Sequence, residues 1–288
     1  MEKVKIKIFV FFFFTTLNFF FLFCAVYIGK WRSTKVAVKV GNAAISTEEF
    51  LKEAEFQLNI PPHPNIVQLL GVSTDGPRPL VILEYCNEGS LDKLLFDIDE
   101  ILSTQRQLTI ANVIAKGLNH LHENNIVHRD LAARNILMHN GEAKISDFGL
   151  SRALKEEAQV GKTASNMGPI RWMAPESIAN QTYSTKSDVW MFGIILYEIT
   201  ARQEPHIGED TLNIAIKIRD SGFTPTITAD CPSVLREIME MCWQMDPKMR
   251  PVSNVVFHGG VCLIFIVHRQ WHRFVRNLTN ISNSRLPV

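Results

Sequence analysis

Three short segments, spread between His128 and Glu176, constrain this chain more than anything else in it. The first is His128-Arg129-Asp130-Leu131-Ala132-Ala133-Arg134-Asn135. Asp147-Phe148-Gly149 follows, and then Ala174-Pro175-Glu176. Each triplet alone is an ordinary turn or helix start. Their order and spacing together demand a fold that gathers several carboxylates and amides at one place. The chain is long enough for such a fold, with 288 residues and 46% apolar side chains. That balance excludes wholesale disorder and suits one large domain or two modest lobes.

Net charge excludes some functions. Thirty Lys and Arg against 29 Asp and Glu leave +1, so no global basic field marks nucleic acid as the partner. The five cysteines, Cys24, Cys86, Cys231, Cys242 and Cys262, form no CxxC pair. This argues against a disulfide framework or a zinc knuckle and fits a reducing compartment.

The N-terminus is unlike the rest. Nine of the 18 phenylalanines lie in the first 23 residues, and Ile8–Ile28 carries no charge over 21 residues. About 20 apolar residues suffice to cross a bilayer. Lysines precede the run and Lys30, Arg32 and Lys35 follow it, so charge does not set an orientation. A membrane anchor, a signal peptide, and unrelated sequence joined to a real domain remain three readings, the signal peptide being the weakest.

From Trp31 onward the pattern is globular. Lys35–Val40 alternates as a strand. Thr47–Leu58 has helical spacing at Phe50, Leu51, Ala54 and Leu58, with Ser46 as N-cap. Pro61, Pro62 and Pro64 end that helix. Leu80–Tyr85 reads as a buried strand and Leu108–His122 as a helix. Strands dominate the first third and helices the remainder, which suggests two unequal lobes. Beyond Pro251 the pattern degrades. Val255–Val267 reads as a core or frayed helix rather than a second span, and Asn277–Val288 as a tail.

On the three segments, the chain resembles the protein kinase family, from about Phe23 to Pro251. The resemblance implies an α+β, bilobal fold with a small, β-rich and incomplete N-lobe and a larger helical C-lobe. It divides the chain into an apolar segment 1–22, an N-lobe and hinge 23–86, a C-lobe 87–257 and a divergent tail 258–288. It implies ATP and Mg²⁺ as cofactors and a protein substrate. The kinase domain is expected to be cytoplasmic, with membrane association only through the N-terminal segment.

The site residues follow from the same likeness. Asp130 would orient the attacking hydroxyl and accept its proton, while Asn135 and Asp147 would hold Mg²⁺ through the oxygen donors that a hard cation prefers. Val36-Ala37-Val38-Lys39 resembles the strand bearing the phosphate-binding lysine, Lys39. Glu53 is its expected partner, ahead of Glu48, Glu49 and Glu55. Val26, Ala37 and Leu137 resemble the residues that sandwich adenine. The Glu84 carbonyl and the Cys86 amide would face its edge, and Leu83 would guard the back of the pocket. Asp188 would hold the catalytic-loop backbone. Arg250 would pair with Glu176.

Specificity is read from three features. Arg134 stands in Ala-Ala-Arg-Asn, where Ser/Thr kinases usually have a lysine at the Ala132 position. Pro169 stands where those kinases usually place a threonine. Cys231-Pro232 with Met241-Cys242-Trp243 also resembles tyrosine kinases. Tyrosine is therefore the expected acceptor, with Arg134 among the catalytic residues and the tyrosine-kinase-like Ser/Thr group as the alternative. No tyrosine lies between Asp147 and Glu176. Thr163 and Ser165 are the candidate regulatory phosphorylation sites there, with Arg129 as receiver.

The resemblance fails at one place. The three glycine positions of the phosphate-covering loop before Val26 hold Phe19, Phe21 and Cys24. Glycine lets a backbone close over phosphates with its amides free to donate. A pseudokinase or truncated kinase acting as an interaction module is therefore the second function class.

Overall fold

In the computed structural model, residues 24–41, 47–76, 78–97, 99, 102–149, 151–153 and 169–252 are described. Four antiparallel strands form the N-terminal sheet: β1 (Cys24–Trp31), β2 (Thr34–Gly41), β3 (Leu69–Ser73) and β4 (Leu80–Glu84). Their spatial order is β1-β2-β4-β3. Helix α1 (Thr47–Leu58) packs on this sheet, with Phe50 and Ala54 buried against Leu69 and Val81.

Strand periodicity explains how β2 serves two faces. Val36 and Val38 are fully buried beside Ile82, while Ala37 and Lys39 are only partly buried on the other face. Alternate residues of a strand must point to opposite faces. Lys39 thus faces away from the Val36–Val38 core cluster by parity alone.

The remainder is mainly helical. β5 (Gly89–Ser90) leads into α2 (Leu91–Phe96) and α3 (Thr104–Glu123). β6 (Ile126–Val127), β7 (Ile136–His139), β8 (Glu142–Ile145) and β9 (Arg152–Ala153) follow. Then come α4 (Pro175–Asn180), α5 (Thr185–Ala201), α6 (Thr211–Ser221) and α7 (Ser233–Cys242). Helix α5 is the axis of this lobe, with Ser187 to Ile199 buried without interruption. A helix apolar all round belongs inside a core. Its start is fixed by a capping box between Ser184 and Ser187, which satisfies amides that a helix end leaves open. The small β-rich and large helical lobes agree with the bilobal expectation.

Backbone bonds stitch the lobes together. The Val67 amide donates to the Ile145 carbonyl, and the Ile145 amide to the Asn65 carbonyl, both at 2.9 Å. A Lys144–Glu84 ion pair at 2.8 Å links β8 to the end of β4.

Two expectations change. Helix α3 begins at Thr104, four residues before Leu108, because Ser103 caps it by accepting the Arg106 amide. Cys24–Ile28 belongs to β1, paired with β2 from Cys24 opposite Gly41 to Trp31 opposite Thr34. The uncharged run Ile8–Ile28 therefore does not continue as one spanning helix, since its last five residues are hydrogen-bonded as a strand. Among the described residues, no helix is long and apolar enough to cross a membrane. The rest of that run, Ser46, Thr163, Ser165, Val255–Val267 and the tail lie outside the described residues.

Candidate active site

The site lies between the sheet and the helical lobe. Lys39 Nζ donates to Glu53 Oε1 at 2.6 Å and lies 3.9 Å from Asp147 Oδ1. Strand β2 contributes the lysine, α1 the glutamate, and the loop after β8 the aspartate. The pair is partly screened, with side chains 12% and 24% exposed. That screening strengthens the attraction over a surface pair. Glu48 instead pairs with Lys52 on the exposed helix face at 2.8 Å.

The segment His128–Asn135 is held by a buried scaffold. Asp188, fully buried at the start of α5, accepts the His128 amide at 2.8 Å and the Arg129 amide at 2.9 Å. Its Oδ2 also meets His122 Nε2 at 3.0 Å. This grip holds Arg129 in the left-handed region, at φ 71°. Strain of this kind persists only where surroundings over-determine it. His128 Nε2 donates to the Ser146 carbonyl at 3.0 Å, and its ring packs against buried Phe148 with centroids 5.2 Å apart.

Asp130 is the convergence point. Arg134 Nη2 donates to its Oδ1 at 2.7 Å, and Asn135 Nδ2 donates to its backbone carbonyl at 2.7 Å. Burial pushes its carboxyl above the usual range, and Arg134 and His128 pull it back in part. Desolvation penalises the charged form and neighbouring cations favour it. Arg134 in turn lies over the Trp172 ring, 4.5 Å from its centroid.

Asn135 and Asp147 are neighbours through the backbone, since the Ser146 amide donates to the Asn135 carbonyl at 2.9 Å. Asp147 sits at φ 59° and accepts the Gly149 amide at 3.3 Å. Asn135 Oδ1 is buried and has no hydrogen-bond partner among the described residues. A buried carbonyl oxygen left open is costly unless something binds it. With a carboxylate beside it, the donor set suits a hard divalent cation such as Mg²⁺. Among the described residues there is no cluster of three His, Cys, Asp or Glu for a metal.

Val26, Ala37 and Leu83 share the Lys39 face of the sheet. Val26 lies opposite Lys39 in the β1–β2 pairing, and Ala37 lies opposite Leu83 in β2–β4. Leu83 packs with Phe50, Ala54, Leu69 and Val81. Leu137 is on β7, opposite Lys144 on β8 and Ser90 on β5. Cys86 is buried, its thiol pushed up to about 12 chiefly by burial and then by Glu84. The Glu84 side chain is engaged by Lys144 and by the Gln68 amide. Arg250, inside the core, forms a two-pronged bond to Glu176 at 2.6 and 2.8 Å.

Sequence reasoning missed Glu198. Buried on α5, its Oε2 accepts the Ala133 amide at 2.9 Å and Trp172 Nε1 at 3.0 Å. Burial outweighs those donors and pushes its carboxyl up to about 7. One carboxylate inside the apolar run from Val189 to Ile199 was the available signal.

A family model described as protein tyrosine and serine/threonine kinase matches residues 22–258. The chain is 37% identical over 232 residues to the insulin-like growth factor 1 receptor of Xenopus laevis, covering 76% of this chain and 17% of the receptor. Tyrosine-protein kinase ABL2 of Homo sapiens is 39% identical over 232 residues, covering 78% and 19%. Ephrin type-A receptor 5 of Rattus norvegicus is 38% identical over 216 residues, covering 74% and 21%. The chain thus spans less than a quarter of the length of these relatives.

Proposed function

The chain belongs to the protein tyrosine and serine/threonine kinase family, and from that premise we propose that it transfers the γ-phosphoryl group of ATP to a protein tyrosine. The observation that carries this is the assembled Lys39–Glu53–Asp147 contact beside Asp130 and the open Asn135 oxygen. In protein kinases the Lys–Glu pair and the Asp–metal contact must both be in place for turnover.

Each residue then has a task. Asp130 orients the tyrosine hydroxyl and accepts its proton. Its raised affinity for a proton assists that step, and Arg134 limits the rise. Lys39, held by Glu53, grips the α- and β-phosphates. Asn135 and Asp147 would hold Mg²⁺, which would supply positive charge to offset that of the transferring phosphoryl group. Val26, Ala37 and Leu137 enclose the adenine, with the Glu84 carbonyl and Cys86 amide at its edge. This assigns the N-lobe and hinge to 23–86 and the C-lobe to 87–257. Thr163 and Ser165 are proposed regulatory sites, with Arg129 as the phosphate receiver. Residues preceding Cys24 are a proposed point of membrane attachment, tested by alkaline carbonate extraction of the expressed chain.

Tyrosine is preferred over Ser/Thr because Ala132, Arg134 and Pro169 stand at the discriminating positions and because the relatives above are named as tyrosine kinases or receptors. Phosphoamino-acid analysis of peptides treated with the purified chain and Mg-ATP tests this. Phosphotyrosine is expected. Phosphoserine and phosphothreonine alone would overturn the assignment. The loss of glycine at Phe19, Phe21 and Cys24 favours a second reading, a catalytically silent interaction module. No phosphoryl transfer to any residue would support it.

A further inference from the structure

Arg171, just before Ala-Pro-Glu, is gripped by three backbone carbonyls. Its Nη1 donates to the Pro205 carbonyl at 3.1 Å and the His206 carbonyl at 2.7 Å, and its Nη2 to the Glu209 carbonyl at 3.0 Å. In the loop that supplies these carbonyls, His206 adopts the left-handed region at φ 55°, which a residue with a Cβ resists. The His206 ring is buried and stacked on Phe223, with centroids 5.1 Å apart and planes 28° from parallel. Its Nε2 has no hydrogen-bond partner among the described residues. The next residue along from Arg171 is Trp172, whose ring carries Arg134, which binds Asp130.

We infer that His206 is a positioning residue: its ring, stacked on Phe223, holds the Pro205–Glu209 loop so that its carbonyls grip Arg171 and fix the protein-substrate side of the active site. This rests on the kinase reading above. The groups facing the ring are Arg171 before α4, Glu209 in the same loop and Lys217 on α6. Lys217 pairs with Glu209 at 2.8 Å and lies over Phe223. A proton on His206 adds a third cation to this cluster, on a buried ring. Burial foremost, then Arg171 and Lys217, push the imidazole down to about 4, with Glu209 opposing them.

The sign follows. A histidine released from the clamp regains an ordinary value near 6.5, so the closed clamp is fully favoured above that pH. It weakens as pH falls from about 6.5 toward 4. At pH 5.5 opening is favoured about tenfold over its level at neutral pH.

The test uses the full chain as wild type, His206→Phe and His206→Ala, at pH 7.5 and 5.5. At pH 7.5 the Phe variant should keep the wild-type peptide KM, because the stack survives. The Ala variant should raise peptide KM several-fold with ATP KM unchanged. At pH 5.5 the wild-type peptide KM should rise several-fold relative to the Phe variant. The gap in unfolding temperature between these two should also widen in favour of Phe. Identical pH profiles for wild type and Phe, or an unchanged peptide KM in the Ala variant, would overturn the clamp. If no variant phosphorylates any peptide, the kinase reading fails. The unfolding comparison then still decides the clamp, a constant gap sinking it.

Discussion

Asp130 shows how a single carboxylate is set by its neighbours. Its partner Arg134 is four residues away on a short 3-10 turn, and both are partly shielded from water. Replacing Asp130 by Asn keeps the shape and removes proton acceptance. The turnover of the chain should fall about 10²- to 10⁴-fold, with nucleotide binding nearly unchanged. Equal activity in the two proteins would trace any signal to a contaminant. Arg134 opposes the effect of burial on Asp130. In Arg134→Ala the Asp130 carboxyl should hold its proton to higher pH. The acidic limb of the kcat/KM profile, which reports the free enzyme, should therefore move upward in pH. A limb that stays in place would show that Asp130 does not govern it.

Elements meet here with little tolerance. Gly193 on α5 faces α7, and a Cβ added there would lie 2.6 Å from Trp243 Nε1 and 2.8 Å from Cys242 Cβ. Neither neighbour is the free end of a flexible chain, so Gly193→Ala should cost about 1–3 kcal/mol through overpacking. The link from α4 to the segment after α7 is electrostatic instead. Arg250 is fully buried and also donates to the Gln244 carbonyl, with its guanidinium 5.0 Å from the Trp190 ring centroid. Glu176→Ala strands that charge, at a cost of about 3–5 kcal/mol. At about 2–4 °C per kcal/mol for a domain of this size, thermal unfolding should show a drop of roughly 6–20 °C. A change of a degree or less would mean that the carbonyls alone satisfy Arg250.

At the scale of the whole molecule, the cleft depends on both lobes at once. Lys39 and Glu53 come from the sheet lobe, and Asp130, Asn135 and Asp147 from the helical lobe. The Asn65–Val67 segment, paired with Ile145, holds the two in register. Replacing Phe19, Phe21 and Cys24 together by glycine should tighten Mg-ATP binding, because amides can then approach the phosphates without a side chain between. Titration calorimetry on the two chains checks this. Equal affinity would show that glycine is not needed at these positions.

The three motif segments were legible because the chemistry they are proposed for admits few substitutes. Asp130, Asn135 and Asp147 carry oxygen donors that no apolar residue replaces, and their order along the chain identified the family before any contact was known. Strand β2 and helix α1 were legible from periods of 2 and 3.6, which local sterics impose. The contacts themselves were not legible. Nothing local to Asp188 or Glu198 says that each grips a backbone amide about 60 residues away, at Arg129 and Ala133. The uncharged run through Ile28 is long enough to span a bilayer. Pairing with β2 decided its last residues, because strand hydrogen bonds are made to a partner that the sequence does not name. Sequence alone thus determined which groups this protein has for chemistry. Tertiary structure decided their neighbours, and so the raised proton affinity of Asp130, the open oxygen of Asn135 and the carbonyls around Arg171.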